Sequence, residues 1–170
     1  FRVMPMDDAA KMDQRTVNSD ELANLIRDTV TKRKILSFNA PGSSMAPFIH
    51  SGDKIFVAPV AQVSIRTGVV LAFVHPDTGR VLAHRVVRIT DGQFFAKGDN
   101  VSGGGDGWFS FADVLGRVVR IQRNGKERRF GFGLEKLLIA LLSRRNILAP
   151  VFNFLRRIKR CSKRLVCNCL

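Results

Sequence analysis

The chain has 170 residues, with 28 Lys and Arg against 14 Asp and Glu, and its formal net charge is +14. This length suits one domain with a core large enough to need neither disulfides nor a metal ion. The charge is uneven, because residues 117–170 hold 15 of the basic residues and 2 of the acidic ones. We therefore expect an anionic partner for the C-terminal third, and both a lipid surface and a nucleic acid fit on charge alone.

The N-terminal part combines a polar segment with one helix. Residues 1–17 are polar and are predicted to be mobile. Asn18 followed by Glu21 is typical of a helix start, because the Asn side chain can cap the first N–H groups. Apolar residues at helical spacing follow, and they predict a helix over about 19–33.

The middle of the chain predicts a mainly β domain. Segments rich in Val, Ile and Phe are separated by Gly, Asp and Pro, a pattern typical of strands and turns. The strands are predicted at 35–39, 54–60, 68–75, 80–90, 93–97 and 114–123. The run 75–80 predicts a hairpin turn and the glycine-rich run 100–107 predicts a loop, whereas helices are predicted from about 133 onward.

The three cysteines all lie within the last ten residues, at Cys161, Cys167 and Cys169. Their spacing, with no histidine nearby, fits no zinc pattern. We therefore expect reduced thiols, no metal site and no cofactor.

Four sequence boxes place nucleophilic chemistry in the β domain. The run PGSSMAPFI at 41–49 puts Ser44 before a methionine in a loop bounded by prolines. It is followed by GDKIFV at 52–57, AHRVV at 83–87, KGDN at 97–100 and then Asp106. A serine hydroxyl is a poor nucleophile until a neighbouring base takes its proton, and an imidazole oriented by a carboxylate can be that base.

Together these boxes resemble the peptidase superfamily that unites type I signal peptidases with the self-cleaving SOS and phage repressors. In that family Ser-Met-x-Pro carries the nucleophile, and the base sits on a later strand. At the position of the base this chain has the segment HRVV, which is similar to the histidine-type branch. That branch is found in the endoplasmic reticulum, in archaea and in some Gram-positive bacteria. The run DVLGRVV at 113–119 resembles the closing strand of the family, so the resemblance covers about residues 35–121. It implies a signal-peptidase-like β-barrel or half-barrel, to which the patterns of the flanking segments add an N-terminal helix and basic amphipathic C-terminal helices.

The resemblance also implies roles for individual residues. Ser44 would be the nucleophile and His84 the general base, and an ordinary imidazole, with a pKa of ~6.5, can accept a proton at neutral pH. Asp106 would orient the imidazole, with Asp99 as the alternative. Asp99 is otherwise interpreted as a structural carboxylate that accepts backbone N–H bonds in a tight turn. The backbone N–H groups of Ser44 and Met45 are the expected oxyanion donors.

Three further titratable residues receive structural interpretations. Lys97 could serve as the base of a serine–lysine pair, but it is interpreted as a surface or turn lysine. His50 and His75 are interpreted as surface residues.

The tail holds two apolar stretches, 134–142 and 147–155, on either side of SRRN. A spanning helix needs about 20 apolar residues, and arginines at its centre are costly. Interfacial helices on an anionic membrane fit better, and their predicted contacts are Arg144, Arg145, Arg156, Arg157, Lys159 and Arg160. We therefore expect peripheral membrane association, with the side of the membrane left open. Packing of the apolar faces on the β domain remains the alternative.

The sequence as a whole predicts a serine endopeptidase that removes a signal or leader peptide from a precursor. It divides into the mobile segment 1–17, the catalytic domain 18–124 and the basic apolar tail 125–170. Two alternatives stay open, an inactive adaptor for a membrane or nucleic acid on the same fold and a self-cleaving regulator. The complete set of serine, histidine and carboxylate disfavours the adaptor. One predicted helix ahead of Ser44 cannot form a helix-turn-helix, which disfavours the self-cleaving regulator. Nucleic acid is not an expected partner.

Overall fold

The structure is a computed structural model that describes residues 19–128, 133–148, 150–151 and 154. The predicted mobile segment, the predicted cap at Asn18 and the basic residues Arg156, Arg157, Lys159 and Arg160 lie outside the described residues. Two α-helices and eight strands lie entirely within these ranges: α1 Ser19–Thr31, β1 Leu36–Asn39, β2 Lys54–Ala58, β3 Val70–Val74, β4 Val81–Thr90, β5 Gln93–Lys97, β6 Gly107–Ser110, β7 Val114–Arg123, β8 Lys126–Arg128 and α2 Lys136–Arg144.

The strands form one antiparallel sheet in the order β1-β2-β7-β3-β4-β5-β6, with β8 paired to β7. The mainly β class that the sequence predicts is therefore confirmed. Among the described strands, β1 pairs with β2 alone and β6 with β5 alone, so the sheet is open. The closed-barrel form of the prediction is wrong.

The sheet has an apolar cluster on each face. Alternate side chains of a strand point to opposite faces, and β3 shows this directly. Its Val70 and Ala72 belong to one cluster, which α1 covers with Ile26, whereas Leu71 and Phe73 belong to the other. The β3 strand is thus buried on both faces, and it forms the centre of the domain.

Two short strands were not predicted. β6 begins at Gly107, inside the glycine-rich run interpreted as a loop, because it pairs with β5 across a long-range contact that composition does not reveal. β8 follows Asn124 and Gly125, which both have positive φ values, 50° and 74°. An Asn-Gly pair between two short extended segments is a strong hairpin signal, so β8 could have been found from the sequence.

The first predicted tail helix is present as α2, and it packs on the β domain. Its Ile139 forms a buried cluster with Leu148 and with Phe48 from the loop after β1. The alternative interpretation, packing on the domain, therefore holds for this face of α2. Across the described part of the chain, none of the helices combines the length and the apolar character that crossing a membrane requires.

Candidate active site

The loop after β1 presents Ser44. Its base is closed by two backbone hydrogen bonds between Ala40 and the residues that precede β2, from Ala40 N to the Asp53 carbonyl and from Gly52 N to the Ala40 carbonyl, each 2.8 Å long. Met45 is buried in the core, and its carbonyl accepts from the N–H groups of two later loop residues. The Ala46–Pro47 peptide bond is cis. Because Met45, the residue after Ser44, is anchored in the core, the position of Ser44 in this loop is fixed.

Ser44, His84 and Asp106 lie in one line of contacts. The Ser44 Oγ is 2.7 Å from the His84 Nε2, and the His84 Nδ1 is 2.5 Å from the Asp106 Oδ2. The His84 side chain is 7% exposed and the Asp106 side chain 17% exposed. When Nδ1 carries the proton it donates to the carboxylate, which leaves Nε2 free to accept the hydrogen bond of the hydroxyl. This is the geometry that proton removal from a serine requires.

A glycine brings Asp106 to the histidine. The Asp106 N–H donates to the carbonyl of Ala96 at 3.1 Å, directly beside the β5–β6 pairing of Ala96 with Gly107. Gly105 has a φ of 94°, and a Cβ on it would lie 2.7 Å from the Phe95 ring. A side chain at this position would therefore push the loop away from β5, and Asp106 with it.

The structure places Asp99 away from the imidazole and against Arg85. The Arg85 Nε lies 2.9 and 3.1 Å from the two Asp99 oxygens, and its Nη2 lies 2.8 Å from Oδ2. Both side chains are 0% exposed. Burial raises the pKa of the Asp99 carboxyl, and the Arg85 guanidinium opposes that rise. Asp99 thus accepts from a guanidinium where the sequence interpretation expected backbone N–H groups.

The KGDN box connects the Arg85–Asp99 ion pair to the loop that carries Ser44. The Asn100 N–H donates to the Ser44 carbonyl at 2.7 Å. Gly98 also lies close to this loop, since a Cβ on it would lie 2.8 Å from the same carbonyl oxygen. Arg85, Gly98 and Asn100 received no role in the sequence analysis. The change of residue type from His84 to Arg85 on one strand was the available hint, because the two side chains must face opposite sides.

Lys97 is buried, so its interpretation as a surface or turn lysine is wrong. Its side chain is 3% exposed, and Nζ donates to the carbonyls of Gly103 and Ser143, each at 2.9 Å, and to the Asn146 Oδ1. Burial lowers the pKa of Lys97, while the charges of Asp106 and Asp99 oppose that shift. The Ser44 hydroxyl contacts His84 and not this ammonium.

His50 and His75 are half-buried, which differs from the predicted surface positions. The backbone N–H of His50 donates to the Asp53 Oδ2 at 2.7 Å. The His75 ring packs edge-on against Phe109, at 5.4 Å between centroids. Both residues stabilise loops outside the line of contacts that contains Ser44.

The backbone N–H groups of Ser44 and Met45 remain available as donors. Within the described ranges, neither group donates to a protein acceptor. Two such N–H groups beside a nucleophile are the donors that an oxyanion requires.

A cavity of about 620 Å³ lies apart from this site, between β4, β6 and α2. Its walls contain Arg88, Trp108, Leu137, Leu141 and Arg144, and none of the three aligned residues. The cavity is therefore a separate feature of the surface.

No family model matches the chain, and a search among curated proteins finds no similar sequence. The function is therefore inferred from the geometry of the site and from the motifs that form it.

Proposed function

We propose that the chain is a serine endopeptidase with Ser44 as nucleophile, His84 as general base and Asp106 as the group that orients the imidazole. The carrying observation is the unbroken line of contacts, 2.7 Å from Ser44 to His84 and 2.5 Å from His84 to Asp106. His84 Nε2 takes the Ser44 proton as Oγ attacks the carbonyl carbon of a peptide bond. The Asp106 carboxylate then stabilises the imidazolium.

The two half-reactions use the same imidazole. The carbonyl oxygen becomes an oxyanion, to which the backbone N–H groups of Ser44 and Met45 donate. His84 returns its proton to the leaving amine, which breaks the peptide bond and leaves the acyl group on Ser44. A water molecule, deprotonated by His84, then hydrolyses the ester and regenerates the hydroxyl.

The proposed substrate is a signal or leader peptide at the start of a precursor. This step rests on the resemblance of the boxes around Ser44 and His84 to histidine-type signal peptidases. On the same resemblance, we also propose that the open sheet has the arrangement of a signal-peptidase fold.

Peripheral contact with an anionic membrane is proposed for the exposed leucines in α2 and just before it. Leu134, Leu137 and Leu138 are 96%, 57% and 59% exposed, and the exposed Arg144 and Arg145 follow at the end of the helix. Apolar side chains beside cations are the pattern of interfacial helices, where leucines enter the headgroup boundary and arginines meet phosphates.

The test of the peptidase is a comparison of Ser44→Ala with Ser64→Ala, which changes an exposed serine in another turn. Precursor peptides are incubated with each variant, and mass spectrometry identifies the products. We expect Ser44→Ala to keep at most a residual rate on the order of 10³-fold above water, because binding and the oxyanion donors remain. Near-normal cleavage by Ser44→Ala would refute the proposal.

An acylating active-site probe separates the enzyme from an inactive adaptor. The probe should form an adduct on Ser44 in the native chain and in Ser64→Ala. His84→Ala should lose the adduct while it keeps the far-ultraviolet spectrum of the folded protein, because the hydroxyl then lacks its base. Equal labelling of His84→Ala and the native chain would mean that His84 does not activate Ser44.

A further inference from the structure

Lys97 joins two parts of the chain that are distant in sequence. Its ammonium donates to the Gly103 carbonyl, in the loop 101–106 that carries Asp106, and to the Ser143 carbonyl and the Asn146 side chain at the end of α2. We call these four residues the Lys97 cluster. An ammonium group has three protons to donate, and here it has three oxygen acceptors. The C-terminal helix and the Asp106 loop are therefore held by one charged group.

The end of α2 has a geometry that presents its acceptors to Lys97. Asn146 adopts a φ of 59°, its N–H donates to the Ser143 carbonyl, and the Ile147 N–H donates to the Leu142 carbonyl. These two bonds form a Schellman cap, which fixes the residue after the helix. A cation near the last carbonyls also interacts favourably with the helix dipole. The cluster is thus an ordered helix terminus, with Lys97 as its cation.

The Asp106 loop needs such an anchor. Gly103 and Gly105 have φ values of 108° and 94°, and glycines lose more conformational freedom on ordering than other residues. At its C-terminal end the loop is held by the bond from the Asp106 N–H to the Ala96 carbonyl. Earlier in the loop, Gly103 is held by Lys97. The position of the Asp106 carboxylate therefore depends on both attachments.

We propose that Lys97 and the end of α2 are positioning elements for Asp106, so that α2 is part of the machinery that aligns His84. The consequence for catalysis rests on the proposed peptidase function. The consequence for the His84–Asp106 contact does not, and it can be measured on the protein without a substrate.

Two variants weaken the cluster in different ways. Lys97→Met removes the ammonium and keeps a side chain of similar length. Asn146→Gly removes the amide and keeps the positive φ that the Schellman cap requires, because glycine adopts that region freely. Lys126→Met, at an exposed position in β8, is the matched control. If Lys97→Met does not fold, Asn146→Gly alone decides the outcome.

The first measurement is the proton resonance of His84 Nδ1, which lies far downfield when the proton is shared with a carboxylate. We expect this resonance to broaden or to move upfield in Lys97→Met and Asn146→Gly, with no change in Lys126→Met. An unchanged resonance in a folded Asn146→Gly, and in Lys97→Met where it folds, would overturn the proposal whatever the protein cleaves.

The second measurement is the steady-state kinetics with a cleaved precursor peptide. We expect kcat to fall on the order of 10-fold in Lys97→Met with KM little changed, since a displaced catalytic group slows the chemistry and a misplacement of ~1 Å can cost ~10²-fold. A loss confined to KM would place the cluster at the substrate and overturn the positioning role. If the native chain cleaves no peptide, the proposed function fails and the resonance still tests the cluster.

Discussion

Arg85 encloses the carboxylate of Asp99 with three hydrogen bonds, at a place where neither side chain reaches solvent. Its neighbour on β4, His84, contacts Asp106 on the opposite side of the strand. Successive residues of one strand thus bind two different carboxylates, and the alternation of side chains keeps them apart. This relationship assigns Asp106 to the imidazole and Asp99 to the support of the loop behind Ser44.

The first prediction distinguishes the roles of Asp106 and Asp99 by replacing each carboxylate with the neutral isostere Asn. Asp106→Asn should leave the fold intact and lower kcat on the order of 10⁴-fold, because the imidazole loses the partner that sets its tautomer. Asp99→Asn should instead destabilise the protein by about 3–5 kcal/mol, because it leaves the guanidinium of Arg85 buried without its counter-charge. Urea denaturation and peptide cleavage measure the two effects. A stable but inactive Asp99→Asn would require that the two roles be exchanged.

The second prediction concerns the close approach of Gly98 to the loop that carries Ser44. Gly98→Ala places a methyl group 2.8 Å from the Ser44 carbonyl oxygen, so the loop must move. We expect kcat to fall by up to ~10²-fold, since a displacement of ~1 Å at a reacting group has that cost. Gly104→Ala is the control, because its Cβ would meet nothing within 4 Å. Equal activity of the two variants would show that the loop does not depend on this close approach.

The third prediction is a loss of stability in acid through Asp53. Its carboxylate accepts from the Arg123 Nε at 2.8 Å and Nη2 at 2.6 Å, and from the backbone N–H of His50. Burial alone would raise its pKa, but these donors outweigh burial and hold the pKa of Asp53 below its ordinary value of 3.8. The unfolded chain therefore binds the proton more readily than the folded one, and the stabilisation is present above pH 3.8 and is lost as the pH falls through the lowered pKa.

The measurement for Asp53 is the free energy of unfolding in urea at neutral pH and at several values below the ordinary pKa. Asp53→Asn should lower it by about 1–3 kcal/mol at neutral pH, the range for hydrogen bonds to charged groups. The variant should also lose less of its stability in acid than the native chain. Asp77→Asn, in the exposed hairpin turn, should follow the native curve. Parallel acid curves for the native chain and Asp53→Asn would contradict the prediction.

The fourth prediction concerns the exposed leucines of α2. The native chain should bind vesicles that contain anionic lipid at low salt and bind neutral vesicles much less, because each basic residue near the surface contributes ~1 kcal/mol. High salt should release most of the protein, since it screens exposed charges. The double substitution Leu137→Ser and Leu138→Ser should weaken binding, whereas Val63→Ser, at another exposed apolar residue, should not. Equal binding to neutral and anionic vesicles would contradict an electrostatic contact.

The strands and the aligned residues differ in how far the sequence determines them. β4 and β7 were predicted within a residue or two, because long runs of β-branched residues bounded by turn residues leave few alternatives. Ser44 and His84 were found through their boxes. The distance of 2.7 Å between the two side chains depends on the tertiary structure. It is set by a loop anchored through Met45 and by a strand pairing that cannot be deduced from the sequence.

The burial of Lys97 was beyond sequence reasoning for a different reason. Lysine is among the residues least often buried, so composition favours a surface position. Its acceptors at Gly103 and Ser143 are backbone carbonyls, and every residue has one. Only the folded structure, with α2 packed on the domain, identifies the two carbonyls that accept from Lys97. The pairing of Arg85 with Asp99 was hidden in the same way, because it joins β4 to a residue that lies beyond the end of β5.

The order of synthesis determines when α2 can contact Phe48 and Lys97. The chain is made from its N-terminus, so Ser44, His84 and Asp106 all leave the ribosome before Ile139 and Asn146 do. Until those later residues emerge, the Phe48 ring and the Lys97 ammonium have no helix to cover them. A growing chain thus contains Ser44, His84 and Asp106 before it contains the helix that covers Phe48 and Lys97, and the Lys97 cluster can form only after Asn146 has left the ribosome.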